Sequence, residues 1–140
     1  MRGEGFVILD CPPGTSCPVI SAMRGSDLVV LVTEPTPFGL NDLRLAVETV
    51  RTLDLPFGVV INRSDVGDLE VRRYCGDQRI PILLELPDER RIAEAYSRGI
   101  PAAEALPGIR AIFEGLGDRI SAEAVPRRRI PQRTARRADA

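Results

Sequence analysis

Four stretches of this chain are apolar almost without interruption: residues 6–9 (FVIL), 28–32 (LVVLV), the run inside FGVVINRSD and the run inside IPILLELPD. Each has the length of a strand, and each ends at polar residues or proline. A strand wetted on one face alternates apolar with polar residues. A continuous run of this length instead needs cover on both faces, as strands of a parallel sheet have. The expected strands lie near 5–10, 28–33, 58–62 and 81–85.

The segments between them follow a different period. In GLNDLRLAVETVRTLDL, Leu40, Leu43, Val47 and Val50 fall at i, i+3, i+7 and i+10, with Asp42, Arg44, Glu48 and Arg51 elsewhere on the wheel. That is one apolar face of a helix. DERRIAEAYSRGIP reads similarly, with Asp88 as expected N-cap, Ile92, Ala95 and Tyr96 facing inward, and Gly99 as the stop. A last helix is expected from 109 to about 123. Strands alternating with helices predict an α/β fold: a mainly parallel sheet with helices on both faces.

Composition removes several chemistries. The sequence has no histidine and no lysine, so all 19 basic residues are arginine. Without histidine there is no Ser-His-Asp or Cys-His nucleophile system and no imidazole metal site. Without lysine there is no complete Walker A loop, whose lysine reaches the terminal phosphates. Cys11, Cys17 and Cys75 form no CxxC pair and are too few for a four-cysteine cluster. No apolar run approaches the roughly 20 residues of a membrane helix. The start leads directly into a strand-like segment, so a cytoplasmic location is expected.

The expected division is a folded part over 1–124 and an arginine-rich tail over 125–140. The tail carries six arginines and almost no large apolar residue. It reads as a solvated, disordered end; binding of nucleic acid through it would be weak and is not expected.

In open α/β sheets, ligands gather at the carboxyl ends of the strands. Two such ends are chemically unusual here. In ILDCPPG, Asp10 follows an apolar run where a carboxylate can hold Mg²⁺, Pro12 and Pro13 stiffen the turn, and Gly14 can bring a backbone N–H close to a phosphate. In VVINRSD, Asn62 can pair with the donor and acceptor edge of adenine. The Asn62/Asp65 spacing also matches the Asn-Lys-x-Asp element of guanine-specific NTPases, with Arg63 in the lysine position. Each segment has an ordinary reading too: a strand that stops at a turn, and turn residues that cap their own backbone.

Taken together and in this order, DCPPGTSCPVI, VTEPTPFGLNDL, GVVINRSD and IPILLELPDERRIAEAYSRGIP resemble the C-terminal half of a MinD/ParA-type P-loop ATPase. The resemblance is nearest to members that carry an inserted ferredoxin domain. It implies a partial P-loop NTPase fold that binds ATP and Mg²⁺. By the same resemblance, Asp10 would stand near the metal, and Pro13 and Gly14 in the turn facing the γ-phosphate. Asn62 and Arg63 would stand at the base, and Pro87 and Asp88 in the loop closing on base and ribose. Cys17 falls in the matching stretch without a chemical role, and a small buried residue is expected there.

The family's lysine-bearing phosphate loop, its first switch segment and the insert that binds a 4Fe-4S cluster have no counterpart in this sequence. A truncated, misassigned or split gene would produce that pattern. The expectation is therefore an ATP-binding portion without hydrolytic activity of its own, associating with a separate N-terminal half or with a second copy. Two alternatives stand beside it: a GTP-specific relative, and a noncatalytic α/β interaction module.

Overall fold

The computed structural model describes residues 5–124. Its sheet has three strands, β1 (Val29–Thr33), β2 (Phe57–Asn62) and β3 (Ile82–Leu86), in the order β1-β2-β3, with both pairs parallel. The helices are α1 (Cys17–Met23), α2 (Pro37–Thr52), α3 (Glu70–Asp77), α4 (Arg90–Ser97), α5 (Ala102–Ala105) and α6 (Pro107–Glu123). This is the expected α/β architecture, and it is compatible with part of a P-loop NTPase-like fold.

The three strands succeed one another in a single direction across the sheet. Right-handed crossovers then bring both connecting helices, α2 and α3, to the same face. The main core forms there: Leu43, Val47 and Val50 of α2 and Val71 and Cys75 of α3 meet Val29, Leu31, Val59 and Ile61 of the sheet. The periodic face expected for α2 is the one buried, with Leu40 at its margin. On the second face, Ile112, Leu116 and Ile120 of α6 pack against Val60, Leu83 and Leu84. Ala102, Leu106 and Ile109 extend that layer onto Ile92 and Leu86. Helices thus cover both faces, but not completely: Val32, on the second face of β1, remains 68% exposed.

Four expectations are corrected. Residues 5–10 form no strand, and Phe6, Val7, Ile8 and Leu9 are all exposed. A strand exists only where a neighbour takes up its backbone groups, and among the described residues none lies beside this run. Asp88 does not cap α4. Glu89 does, its carboxylate accepting from the Arg91 N–H, while the Asp88 side chain turns to Arg63. Tyr96 is exposed and only Ala95 of that face is buried, because α4 is short and meets α5 rather than the sheet. Cys17 is exposed at the start of α1, where Val19 is the buried residue. Helix α3 was not anticipated. The arginine-rich stretch from 125 lies outside the described residues.

The pairing of β2 with β3 slips between Val59 and Val60, so that Val59 faces Ile82 while Val60 faces Leu84. Leu83 is skipped, and its carbonyl oxygen accepts a 2.6 Å bond from Nη1 of Arg119 on α6. One guanidinium therefore serves the sheet irregularity and pins the helix over it. Arg119→Met keeps the aliphatic stem and removes the donor. It should cost about 1–3 kcal/mol in chemical denaturation, the penalty of a part-buried carbonyl left unpaired. Arg110→Met, which removes an exposed bond to Ala103, should stay within about 0.5 kcal/mol.

Cys75 is fully buried on the core side of α3, and desolvation pushes its thiol pKa up; desolvation likewise raises that of its neighbour Tyr74. With a raised folded pKa, each group's contribution to stability is complete below its ordinary pKa and is lost as pH rises through the folded value. Cys11 and Cys17 are exposed. Titration with an aromatic disulfide at pH 8 should therefore modify two thiols in the native protein and the third only with denaturant. Three fast-reacting thiols would contradict this packing.

Candidate functional site

A parallel sheet delivers the carboxyl ends of all its strands to one rim. Here β1 ends into Glu34 and Pro35, β2 into Asn62 and Arg63, and β3 into Pro87 and Asp88. Local chemistry fixes how each chain leaves its strand. After β1, the Thr36 hydroxyl caps α2 by accepting from the Gly39 N–H at 3.0 Å, with Pro37 opening the helix. Gly39 is required there, since a Cβ would overlap the Glu34 carbonyl oxygen.

After β2, Arg63 takes φ +51°, a left-handed conformation that few non-glycine residues adopt, and turns the chain back across the rim. The turn is secured on both sides. Ser64 N–H donates to the Leu86 carbonyl at 2.9 Å. Arg72 of α3 donates to the Ser64 carbonyl at 2.7 Å and to Glu85 at 2.6 Å. Further along, Asp68 N–H donates to the Pro35 carbonyl at 3.1 Å, joining the loops of β1 and β2. Gly67 makes that approach feasible: its φ is +105°, and a Cβ would overlap the Pro35 carbonyl oxygen.

On this frame the rim closes into a polar cluster. Arg63 lies 3.7 Å from the Glu34 carboxylate and 3.4 Å from that of Asp88, so one guanidinium ties the loop of β1 to the loop of β3. Oδ1 of Asp65 accepts from the Asp88 N–H at 2.6 Å. The Asn62 carboxamide is half-buried and makes no hydrogen bond within the described residues, which leaves both its donor and its acceptor for a ligand.

Of the residues singled out in the sequence, Asn62, Arg63, Pro87 and Asp88 come together at this rim. Asp10, Pro13 and Gly14 lie in an exposed segment, with Gly14 at φ +93°. Among the described residues no hydrogen bond or ion pair joins that segment to the rim. Glu34 was missed, although it follows its apolar run as Asn62 and Pro87 follow theirs. The contact of Gly67 with Pro35 was also missed, since no spacing rule links two loops so far apart in sequence.

The Asn62 carboxamide offers the rim one donor and one acceptor side by side. The Arg63 guanidinium there is already paired with two carboxylates. A magnesium ion would have the Asp10 carboxylate, but among the described residues no group of three or more Asp, Glu or Cys side chains is placed to hold a metal. A 4Fe-4S cluster does not fit these thiols: Cys75 is enclosed in the core while Cys11 and Cys17 are exposed. No helix among the described residues is long and apolar enough to cross a membrane.

No family model matches the chain. A protein of uncharacterised function from Methanocaldococcus jannaschii is 36% identical over 92 residues, covering 66% of this chain and 31% of that protein. The iron-sulfur cluster carrier protein of Rickettsia bellii is 29% identical over 105 residues, 72% of this chain and 33% of the relative. That of Pyrococcus horikoshii is 25% identical over 126 residues, 78% and 43%. The chain thus spans between about a third and less than half of the length of these relatives, and resembles iron-sulfur cluster carriers at low identity.

The two kinds of contact at the rim differ in energy. Gly67→Ala forces both a left-handed backbone and a clash with Pro35, and should cost at least about 2 kcal/mol in thermal or chemical unfolding. Arg63→Ala removes two ion pairs whose side chains are all more than 40% exposed, and should change stability by no more than about 1 kcal/mol. Equal effects would mean that the ion pairs, rather than the backbone contact, hold the rim.

Proposed function

We propose that this chain is the nucleotide-binding C-terminal portion of a MinD/ParA-like ATPase, reading the base of ATP and inactive in isolation. The observation that carries this is the rim at the carboxyl strand ends, where the unpaired Asn62 carboxamide stands beside Arg63, Pro87 and Asp88. Asparagine offers one donor and one acceptor side by side, the complement of the adenine edge. The similarity to iron-sulfur cluster carriers, proteins about two to three times as long as the matched stretch, supports work in the same setting for the whole protein of which this would be a part.

The GTP alternative is weaker. Guanine recognition through an Asn-x-x-Asp spacing needs a carboxylate free to accept two N–H groups. Oδ1 of Asp65 is already committed to the Asp88 backbone at 2.6 Å. Phosphate contacts, metal ligation beyond Asp10 and positioning of water would come from sequence outside these 140 residues. That is why hydrolysis is assigned to the larger assembly.

Calorimetric titration of ATP into the 140-residue chain, with and without Mg²⁺, should show no site tighter than about 1 mM. The base reading is tested in a chimera in which this chain replaces the stretch it matches in the M. jannaschii relative. That chimera should bind ATP in preference to GTP, and Asn62→Ala should weaken binding by about 1–3 kcal/mol without loss of thermal stability. A chimera that folds and binds no nucleotide would sink the assignment.

A further inference from the structure

The chain reverses at the end of α4, and the reversal leaves a cleft. Gly99 takes φ +72°, Gly99 N–H donates to the Tyr96 carbonyl at 2.9 Å, and Ile100 N–H donates to the Ala95 carbonyl at 3.0 Å. Glycine adopts this left-handed conformation without strain, and the two bonds satisfy carbonyls that the helix end would otherwise leave open. The chain then continues into α5 and the start of α6. A cavity of about 190 Å³ lies where these elements meet the last turns of α4. Ala95 and Leu106, both buried, give it apolar lining, together with Ile100 and Ala105. Its polar lining comes from α4 and its C-cap, where Arg91, Glu94 and Arg98 stand at i, i+3 and i+7 on one face.

The cations here differ from the one at the rim, where Arg63 has two carboxylates. Glu94 is paired with Arg90 at 2.9 Å, and Arg90 does not line the cavity. Nε of Arg98 donates to the Glu94 carbonyl oxygen at 3.1 Å, which holds the side chain along the helix and leaves both Nη groups. The Arg91 side chain has no hydrogen bond or ion pair among the described residues. Two guanidiniums without a carboxylate thus border a cavity whose remaining lining is mostly apolar.

That combination selects a ligand by charge, shape and size. A guanidinium holds a carboxylate through two parallel N–H···O bonds. Phosphate or sulfate would leave the apolar lining in water, and a second negative charge would meet the Glu94 carboxylate. The volume falls below the roughly 300–1,000 Å³ of pockets for drug-sized ligands, so the occupant is smaller than a nucleotide. We infer that the cleft between α4, α5 and α6 binds a small monocarboxylate with a short apolar body. Arg91 and Arg98 hold the carboxylate, and Ala95, Ile100, Ala105 and Leu106 cover the hydrocarbon. None of the rim residues Glu34, Asn62, Arg63 and Asp88 lines this cleft, and the inference does not rest on the nucleotide reading.

The test follows amide resonances of the 140-residue chain at pH 7 while isocaproate is added in a buffer free of phosphate. Saturable shifts should appear at Arg98, Ile100 and Leu106 and not at Asn62 or Arg63, with Kd below about 1 mM. Isocaproamide, which lacks the charge, and acetate and sulfate, which lack the apolar body, should each bind at least about tenfold more weakly. Arg91→Gln and Arg98→Gln, both at exposed positions, should keep the circular dichroism of the parent and weaken isocaproate at least about fivefold each. Ala105→Glu, also exposed, places a carboxylate against the two arginines and should abolish binding. Arg73→Gln on α3 removes the same charge on the opposite face of the sheet and should leave the affinity unchanged. The proposal is overturned by absence of saturable shifts, by shifts centred on the rim, or by acetate or sulfate binding as well as isocaproate, which would mean an adventitious ion only. Equal binding of isocaproamide would overturn it as well, as would arginine variants that bind like the parent.

Discussion

Strand direction governs this molecule. All three strands run the same way, so every strand-to-helix connection on one side of the sheet leaves from a single rim, and polar residues from three distant parts of the sequence meet there. The same constraint places α2 and α3 on one face and leaves the other to α6. The rim is built from contacts within the chain. Backbone contacts of Pro35 with Asp68 and of Ser64 with Leu86 assemble it, and the side chains of Glu34, Arg63 and Asp88 are carried to it.

Those side chains add little to stability, and that bears on their use. Arg63 holds both carboxylates in solvent, where an ion pair is worth a fraction of what a buried contact contributes. The twisted backbone at Arg63 is instead sustained by Arg72, whose two bonds reach the loop and β3 from α3. Support of the loop is therefore separate from the exposed ion pairs: α3 holds the loop through Arg72, and the side chains of Arg63 and Asn62 do not carry it.

The parts of this fold legible in the sequence are those whose burial is continuous. The runs that became β1, β2 and β3 are apolar because both faces are covered, and the face of α2 repeats because one side is. Composition shows what a segment needs, though not whether the need is met: residues 6–9 read as a strand and lack a neighbour to make them one. Asp88 and Glu89 are both capable caps, and the choice fell to Glu89 because Arg63, remote in sequence, holds Asp88. Helix α3 has only Val71, Tyr74 and Cys75 to mark it, a single turn of pattern among charged residues. Asn62 was recognisable at the site because it ends an apolar run, whereas Pro87 and Asp88 were placed there by the family resemblance alone. Glu34 and Gly67 take their meaning from contacts between loops, which periodicity does not encode.

The two outer strands of the sheet differ from each other, and this shapes how copies of the chain can pack. Neither β1 nor β3 has a second strand neighbour among the described residues, and a parallel sheet has no two-fold axis relating its two sides. If the β1 side of one molecule met the β3 side of the next, the contact would be head-to-tail, and the same unused surfaces would remain at both ends. Such a contact repeats without closing. At high concentration the chain would then grow into linear polymers rather than settle as dimers, with the uncharged, β-branched segment VVLVT at each junction.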